Sequence, residues 1–380
     1  MFKASDLPAR AHWDDLFLAA IGSPDPYGRQ LNGMGGGISS LSKVCVVGPP
    51  SRPDADIDYT FAQVSVGEAL VDYGSNCGNM SSAMGPFAVD EGLITTARSL
   101  LNGETTVRIH NTNTNKVIAA RFPIEDGVAA VDGSVEIPGV AGTGAPVDLD
   151  FLEPGGAGTG KLLPTGNLVD QLFVPGLGNI EASLVDAANA FVFVRAADLG
   201  LTGTEMPADI DAQTDVMGRL EAIRAQAGVM MGYASSGDAM TRDYPSAPKI
   251  GLVAPPAPAT TLTGERISPE DMDLTGRMVS MGNVHRALPL TGVLGFAVAA
   301  RIDGTLVHQA TRASNRAGLL RLAQPSGIVE ASADVAGNAG GWHATVASVR
   351  RTQRRLFDGF VYVPASRVPA LLGAREAAAD

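Results

Sequence analysis

The sequence predicts a mixed α+β fold of two pseudo-symmetric lobes, each a strand-rich layer around a central helix. Three observations carry this prediction. The 45 glycines and 24 prolines are spread along 380 residues between short Val/Ile-rich runs, the pattern of many strands joined by tight turns. A few longer stretches return apolar residues at three- and four-residue steps, as helices do. The two halves of the chain also echo each other in order.

The strands come first. Residues 44–47, 105–109 and 117–122 are short apolar runs bounded by turn residues. Asn111-Thr-Asn-Thr114 reads as a polar hairpin turn, and Asp126-Gly127 and Asp132-Gly133 read as tight turns between antiparallel strands. The clearest helical periodicities cover residues 81–91, 211–227 and 291–302.

The repeat organises these elements. Phe2-Lys-Ala-Ser-Asp-Leu7 is answered by Phe193-Val-Arg-Ala-Ala-Asp-Leu199, each leading into a helical stretch. Ser42-Lys-Val-Cys-Val-Val-Gly-Pro-Pro50 is answered by Pro248-Lys-Ile-Gly-Leu-Val-Ala-Pro-Pro256, with lysine at the same place. Cys77-Gly78 before one apolar helix is answered by Thr291-Gly292 before the other, and each helix runs into a glycine turn, Gly92 and Gly304. The repeat predicts an N-terminal lobe over residues 1–175 and a C-terminal lobe over 176–380, with the last strands free to return to the first lobe. The strand ahead of Phe193 has no counterpart ahead of Phe2, so a chain that starts late is expected.

Composition narrows the function. A net charge of −12 and a pI near 4.9 argue against nucleic acid or an anionic membrane as partner. Apolar runs such as 292–300 are too short to span a bilayer, and Met1 is not followed by a basic region and a signal-type core. A cytoplasmic protein is expected. Cys45 and Cys77 cannot build a disulfide framework, and no Cys/His group has zinc-site spacing, so no metal is implied.

The chemistry centres on Ser75-Asn-Cys-Gly-Asn79 at the mouth of the first central helix. A helix N-terminus presents unpaired N–H groups and partial positive charge, which bind carboxylates and favour a thiolate. Gly78 lets a ligand approach the backbone, Asn76 and Asn79 add donors, and Cys77 supplies a thiol. Cys45, alternating with Val44 and Val46, reads as core. Lys43 opens the same strand and becomes a competent base if it points into a cleft between the lobes. Its repeat partner Lys249 reads as structural. Ser280, His285, Thr291 and Gly292 form the second half's counterpart of the cysteine site, suited to a second carboxylate. The Gly33–Gly37 and Gly155–Lys161 runs lack the sequel of a phosphate loop, so nucleotide binding is not expected.

The motifs Ser75-Asn-Cys-Gly-Asn-Met-Ser-Ser-Ala-Met-Gly-Pro-Phe87, Gly22-Ser-Pro-Asp-Pro26, Gly33-Met-Gly-Gly36, Ser42-Lys-Val44, Lys161-Leu-Leu-Pro-Thr-Gly166 and Thr291-Gly292 together resemble the PrpF-type family. The resemblance runs from about Phe2 to Pro364. That family includes 2-methylaconitate cis-trans isomerases, 4-oxalomesaconate tautomerases and methylitaconate isomerases, on the diaminopimelate epimerase-like fold. The resemblance implies a cofactor-independent isomerase acting on a small unsaturated polycarboxylate. Lys43 would be the base and Cys77 the helix-mouth thiol, as acid or as binder. It also implies that the two-thiol arrangement of the related epimerases is replaced here, with the Leu290-Thr291 region in the second place. Family members carry a glycine-rich Arg-Gly-Gly-Thr-Ser-Lys-Gly segment ahead of the Phe2 stretch, which again leads one to expect a chain that starts late. The alternative of another class is a truncated, non-catalytic homologue. Homo-oligomerisation is left open.

Overall fold

The computed structural model describes residues 1–94, 101–315, 318–338 and 341–371. Its core is a 17-stranded mixed sheet whose two halves repeat one topology. In the first half, strand Phe2–Lys3 runs parallel to Lys43–Gly48, which pairs antiparallel with Ile57–Val64, which in turn pairs with Val71–Asp72. In the second half, Asn189–Arg195 runs parallel to Lys249–Ala254, which pairs with Leu274–Ser280 and through it with Asn283–Val284. The registers coincide as well as the order. Lys3 pairs with Val47 as Arg195 pairs with Val253, and Phe2 with Val46 as Val194 with Leu252. Lys43 and Lys249 therefore open equivalent strands.

Each half then sends its chain into a central helix, Gly78–Asp90 and Leu290–Ala299. Every residue of the second helix is buried, as a helix apolar all round apart from Thr291 requires. Met84 and Phe87 of the first helix share one hydrophobic core with Val293 and Phe296 of the second. Strand Val147–Leu152 pairs with Lys116–Glu125 on one side and with Gly341–Arg351 on the other, so the sheet is continuous across the halves. The expected junction near Pro175–Gly178 is the turn of a hairpin between Asp170–Val174 and Gly178–Ala187. Leu172 and Val174 of that hairpin pack with Leu184, Val192 and Leu252.

The three predicted strands fall within Lys43–Gly48, Gly103–Asn111 and Lys116–Glu125. Asp126-Gly127 is the expected tight hairpin, both residues at positive φ (50° and 80°) between paired Glu125 and Val128. Asp132-Gly133 is not a turn of this kind. Gly133 lies against the backbone of Gly144 and Ala145, where an added Cβ would fall 2.5 Å from a carbonyl oxygen, so close approach is what requires glycine there. The helix expected over 211–227 is Thr214–Met230, preceded by a separate turn, Pro207–Asp211. The break falls at Gln213, whose backbone leaves helical values (φ −89°, ψ 80°), just after Asp211, whose carboxylate accepts the Val284 N–H at 2.9 Å. Among the described residues no helix is long and apolar enough to cross a membrane.

Candidate active site

The two central helices meet at their N-termini. Gly78 is the first residue of its helix, and a Cβ there would lie 2.6 Å from Leu290 Cδ2 and 3.0 Å from Thr291 Cγ2. Only glycine permits this approach of one helix mouth to the other. Asn189, at the start of its strand, ties the two together. Its Nδ2 donates to Asn76 O and to Thr291 Oγ1, both at 3.0 Å, and its Oδ1 accepts the Asn76 N–H at 3.1 Å. All three residues are buried. Nothing in the repeat or the motifs singled out Asn189; its signal was an asparagine entering an apolar strand with no solvent to face.

Cys77 caps the first helix without a side-chain capping bond, which leaves its sulfur free for other contacts. Lys43 Nζ lies 3.3 Å from Cys77 Sγ. The two residues that sequence reasoning put at the chemistry are thus in direct contact, from different elements and 34 positions apart. Cys45 is buried at 1% exposure beside the Tyr59 hydroxyl, and burial pushes its thiol up to about 12. It is a core residue, as its alternation with valines suggests.

Lys249, read from the sequence as structural, is buried beside the pair. It is 8% exposed, donates to Ser246 O at 3.1 Å, and lies close enough to Cys77, Asp72 and Lys43 to feel their charges. Burial lowers its ammonium to about 8, against the opposing pull of Cys77 and Asp72. Ser246 also donates to Asp72 Oδ2 at 2.5 Å, which fastens the second-half loop to the first half beside the site. The signal was present in the repeat, which put a second lysine where Lys43 stands.

The unfolded chain holds the Lys249 proton up to about pH 10.5, whereas the folded chain releases it near 8. Between these values the unfolded state binds more protons, so stability rises with pH; below 8 the full burial cost, about 3 kcal/mol, is present. Lys249→Met is therefore expected to be more stable than the native chain at pH 7 and to lose the rise between pH 8 and 10.5. Urea denaturation across that range checks both.

His285 lies on the loop before the second helix and accompanies the lysines. Burial, then the charges of Lys249 and Lys43, lower its imidazole to about 4. It is neutral at pH 7, with Nε2 buried and unpartnered among the described residues. The other expected residues are placed less directly. Asn76 spends its backbone on Asn189 and its Oδ1 on Asn111 at 3.3 Å. Ser280 ends its strand, half-buried. Asn79 is exposed on the first helical turn and lines a cavity of about 610 Å³.

Thr291 and Gly292 are not at the helix cap. The second helix starts at Leu290 after Pro289, so Thr291 sits inside the first turn with its hydroxyl engaged by Asn189, and Gly292 packs on the sulfur of Met278. The glycine-rich runs serve the protein itself. Gly158 N, Thr159 N and Thr159 Oγ1 donate to the carboxylate of Asp186 at 2.6–2.9 Å, leaving those amides no phosphate to hold. Among the described residues no group of three His, Cys, Asp or Glu is placed to hold a metal.

A lysine and a cysteine touch at the joined mouths of two helices, beside a second lysine and a neutral histidine. The family model described as "PrpF protein" matches residues 1–364. The chain belongs to the PrpF family. It is 40% identical to a 3-methylitaconate isomerase of Eubacterium barkeri, over 96% of this chain and 94% of that one. It is also 40% identical to a 2-methyl-aconitate isomerase of Shewanella oneidensis, over 96% and 93%. Among solved structures, a methylitaconate-delta-isomerase aligns with a TM-score of 0.78 at 40% identity, covering 97% of this chain and 93% of that one. The fold of this PrpF member is the mixed α+β fold of that methylitaconate-delta-isomerase, with two halves that repeat one topology, and its relatives support an isomerase function.

Proposed function

We propose that this PrpF member is a cofactor-independent isomerase that moves a proton on a small unsaturated polycarboxylate, as a 2-methylaconitate cis-trans isomerase does. The observation that carries the reading is the 3.3 Å contact between Lys43 Nζ and Cys77 Sγ at the helix mouth. A C–H bond next to a double bond conjugated to a carboxylate is acidic because its anion spreads into the carboxylate. Lys43, acting as the free amine, takes that proton; the C–H bond breaks and an N–H bond forms. The charge that develops on the carboxylate is met by the N–H groups of Gly78 and Asn79 at the helix start, where preorganised donors contribute most. The buried charge of Lys249 adds to that field.

Rotation within the delocalised anion, followed by return of the proton to the same carbon, gives cis-trans isomerisation. Return to the other end of the allyl system gives the 1,3-shift of a methylitaconate isomerase or an oxalomesaconate tautomerase. Cys77, touching Lys43, shares the proton with it or holds the substrate. Neither path changes oxidation state, so acid–base groups suffice.

The test is to offer 2-methylaconitate, methylitaconate and 4-oxalomesaconate and follow each by NMR. Conversion of one of them names the substrate. Silence from all three with a folded protein contradicts the reading.

A further inference from the structure

Lys43 Nζ and Cys77 Sγ, 3.3 Å apart, have each other as their one hydrogen-bond partner among the described residues. The fold fixes both ends of this contact. Lys43 pairs with Gln63 across the strand ladder, and Gln63 Nε2 donates to the carbonyls of Ser39 and Ser42, both at 2.9 Å. The carbonyl of Cys77 accepts the Ser81 N–H at 3.1 Å and the hydroxyls of Ser81 and Tyr59 at 3.2 and 3.5 Å. Both backbones are held while the four-carbon stem of the lysine turns, so the nitrogen can close on the sulfur without moving the fold.

The surroundings select this sulfur for oxidation. Cys77 is half-buried at a helix start, where N–H groups face an anion, and the charge of Lys249 acts on it. His285, which feels both lysines, keeps its buried Nε2 without a partner among the described residues, available to an oxygen newly placed at the site. Cys45 is the opposite case. It is 1% exposed beside the Tyr59 hydroxyl, and burial pushes its thiol up to about 12, so it is neither reached nor ionised. Redox-sensing cysteines commonly stand next to a second thiol that resolves the oxidised sulfur; the group touching Cys77 is an amine.

We propose that Lys43 and Cys77 form a redox modification site, at which hydrogen peroxide joins Nζ to Sγ in a reversible covalent crosslink. The Cys77 thiolate attacks the peroxide: an S–O bond forms, the O–O bond breaks, and a sulfenic acid and hydroxide result. The free amine of Lys43 then attacks that sulfur. An S–N bond forms, the S–O bond breaks, and the hydroxyl leaves with a proton from the nitrogen as water. In sum, one amine, one thiol and one peroxide give one sulfenamide and two waters; the sulfur is oxidised and the peroxide oxygens are reduced. An added thiol attacks the linked sulfur, returns the amine and, with a second thiol, releases Cys77. The crosslink spares Cys77 the irreversible sulfinic state. It also takes the base of the proposed mechanism out of action, but its formation does not depend on that mechanism.

The test treats the native chain with hydrogen peroxide, digests it under non-reducing conditions and reads the fragments by tandem mass spectrometry. The expected product is a Lys43–Cys77 link two hydrogens lighter than the separate residues. Trypsin no longer cuts after Lys43 in that product, and dithiothreitol restores the cut. Lys43→Ala should instead carry Cys77 as a sulfinic acid that dithiothreitol does not reverse, and Cys45→Ala should still form the link.

A lighter species that maps to Cys45 and Cys77, or to two chains, overturns the proposal. So does sulfinic acid formed in the native chain as readily as in Lys43→Ala. Should either variant fail to fold, the native chain decides: an unhindered tryptic cut after Lys43 following peroxide overturns the proposal. Failure here is distinguishable from failure of the proposed function. A link formed by a chain that turns over no substrate sinks only the proposed function, and Lys43-dependent turnover with no link sinks only this inference.

Discussion

Lys43→Ala is expected to lower the rate of isomerisation by about 10²- to 10⁴-fold, the range that a positioned general base contributes. The substitution removes the amine that touches Cys77 and leaves the strand intact, because the packing of Lys43–Gly48 is carried by Val44, Cys45, Val46 and Val47, all buried. Lys43→Arg separates charge from basicity. It keeps a cation near the sulfur but cannot accept a proton at any workable pH, so it should be nearly as slow as alanine. If charge alone were the contribution of Lys43, arginine would rescue most of the rate. Steady-state kinetics of both variants, with circular dichroism to confirm folding, separate the two cases.

The second large effect belongs to Asn189. Asn189→Ala leaves the Asn76 N–H, the Asn76 carbonyl and the Thr291 hydroxyl without their partner in the protein interior. Each such orphan costs about 1–3 kcal/mol, so a loss of stability of about 3 kcal/mol or more is expected. Because those bonds join the two helix mouths, kcat should fall as well, although Asn189 touches none of the reacting atoms in the proposed mechanism. Urea denaturation reads the first effect and kinetics the second. A stable variant with native kcat would show that the helix mouths hold their spacing through the Gly78–Leu290 packing alone.

Much of this was legible in the sequence, for reasons that lie in particular residues. The repeated Lys-plus-apolar strand with a Pro-Pro sequel exposed the pseudo-symmetry, because a strand register that serves one half serves the other. Gly78 was read as room for a ligand at the backbone, but the space its missing side chain leaves is taken by Leu290 and Thr291 of the other helix. The burial of Lys249 was not legible: lysine at the edge of an apolar run usually reaches water, whereas here it bonds the carbonyl of Ser246, which Ser246 Oγ ties to Asp72 of the other half. Thr291-Gly292 was read as preceding the second helix as Cys77-Gly78 opens the first, but Pro289 is its N-cap, so Thr291 is the second helical residue and gives its hydroxyl to Asn189. The Asp132-Gly133 pair carries a turn signature but answers a demand for close backbone approach, a tertiary contact that no local pattern encodes.

The central claim, proton transfer by the Lys43–Cys77 pair, is tested most directly by solvent exchange. The native chain is incubated with 2-methylaconitate in deuterated buffer, and the substrate carbons are followed by NMR beside a Lys43→Ala control. Deuterium entering the carbon next to the double bond in the native reaction, and not in the control, is the predicted result. Isomerisation without exchange at any carbon would not decide the matter, because a shielded proton can return to the same molecule, so the same run includes substrate deuterated at that carbon. A primary isotope effect on kcat/KM that accompanies isomerisation supports the account. Equal rates for labelled and unlabelled substrate, together with unimpaired turnover in Lys43→Ala, would contradict it.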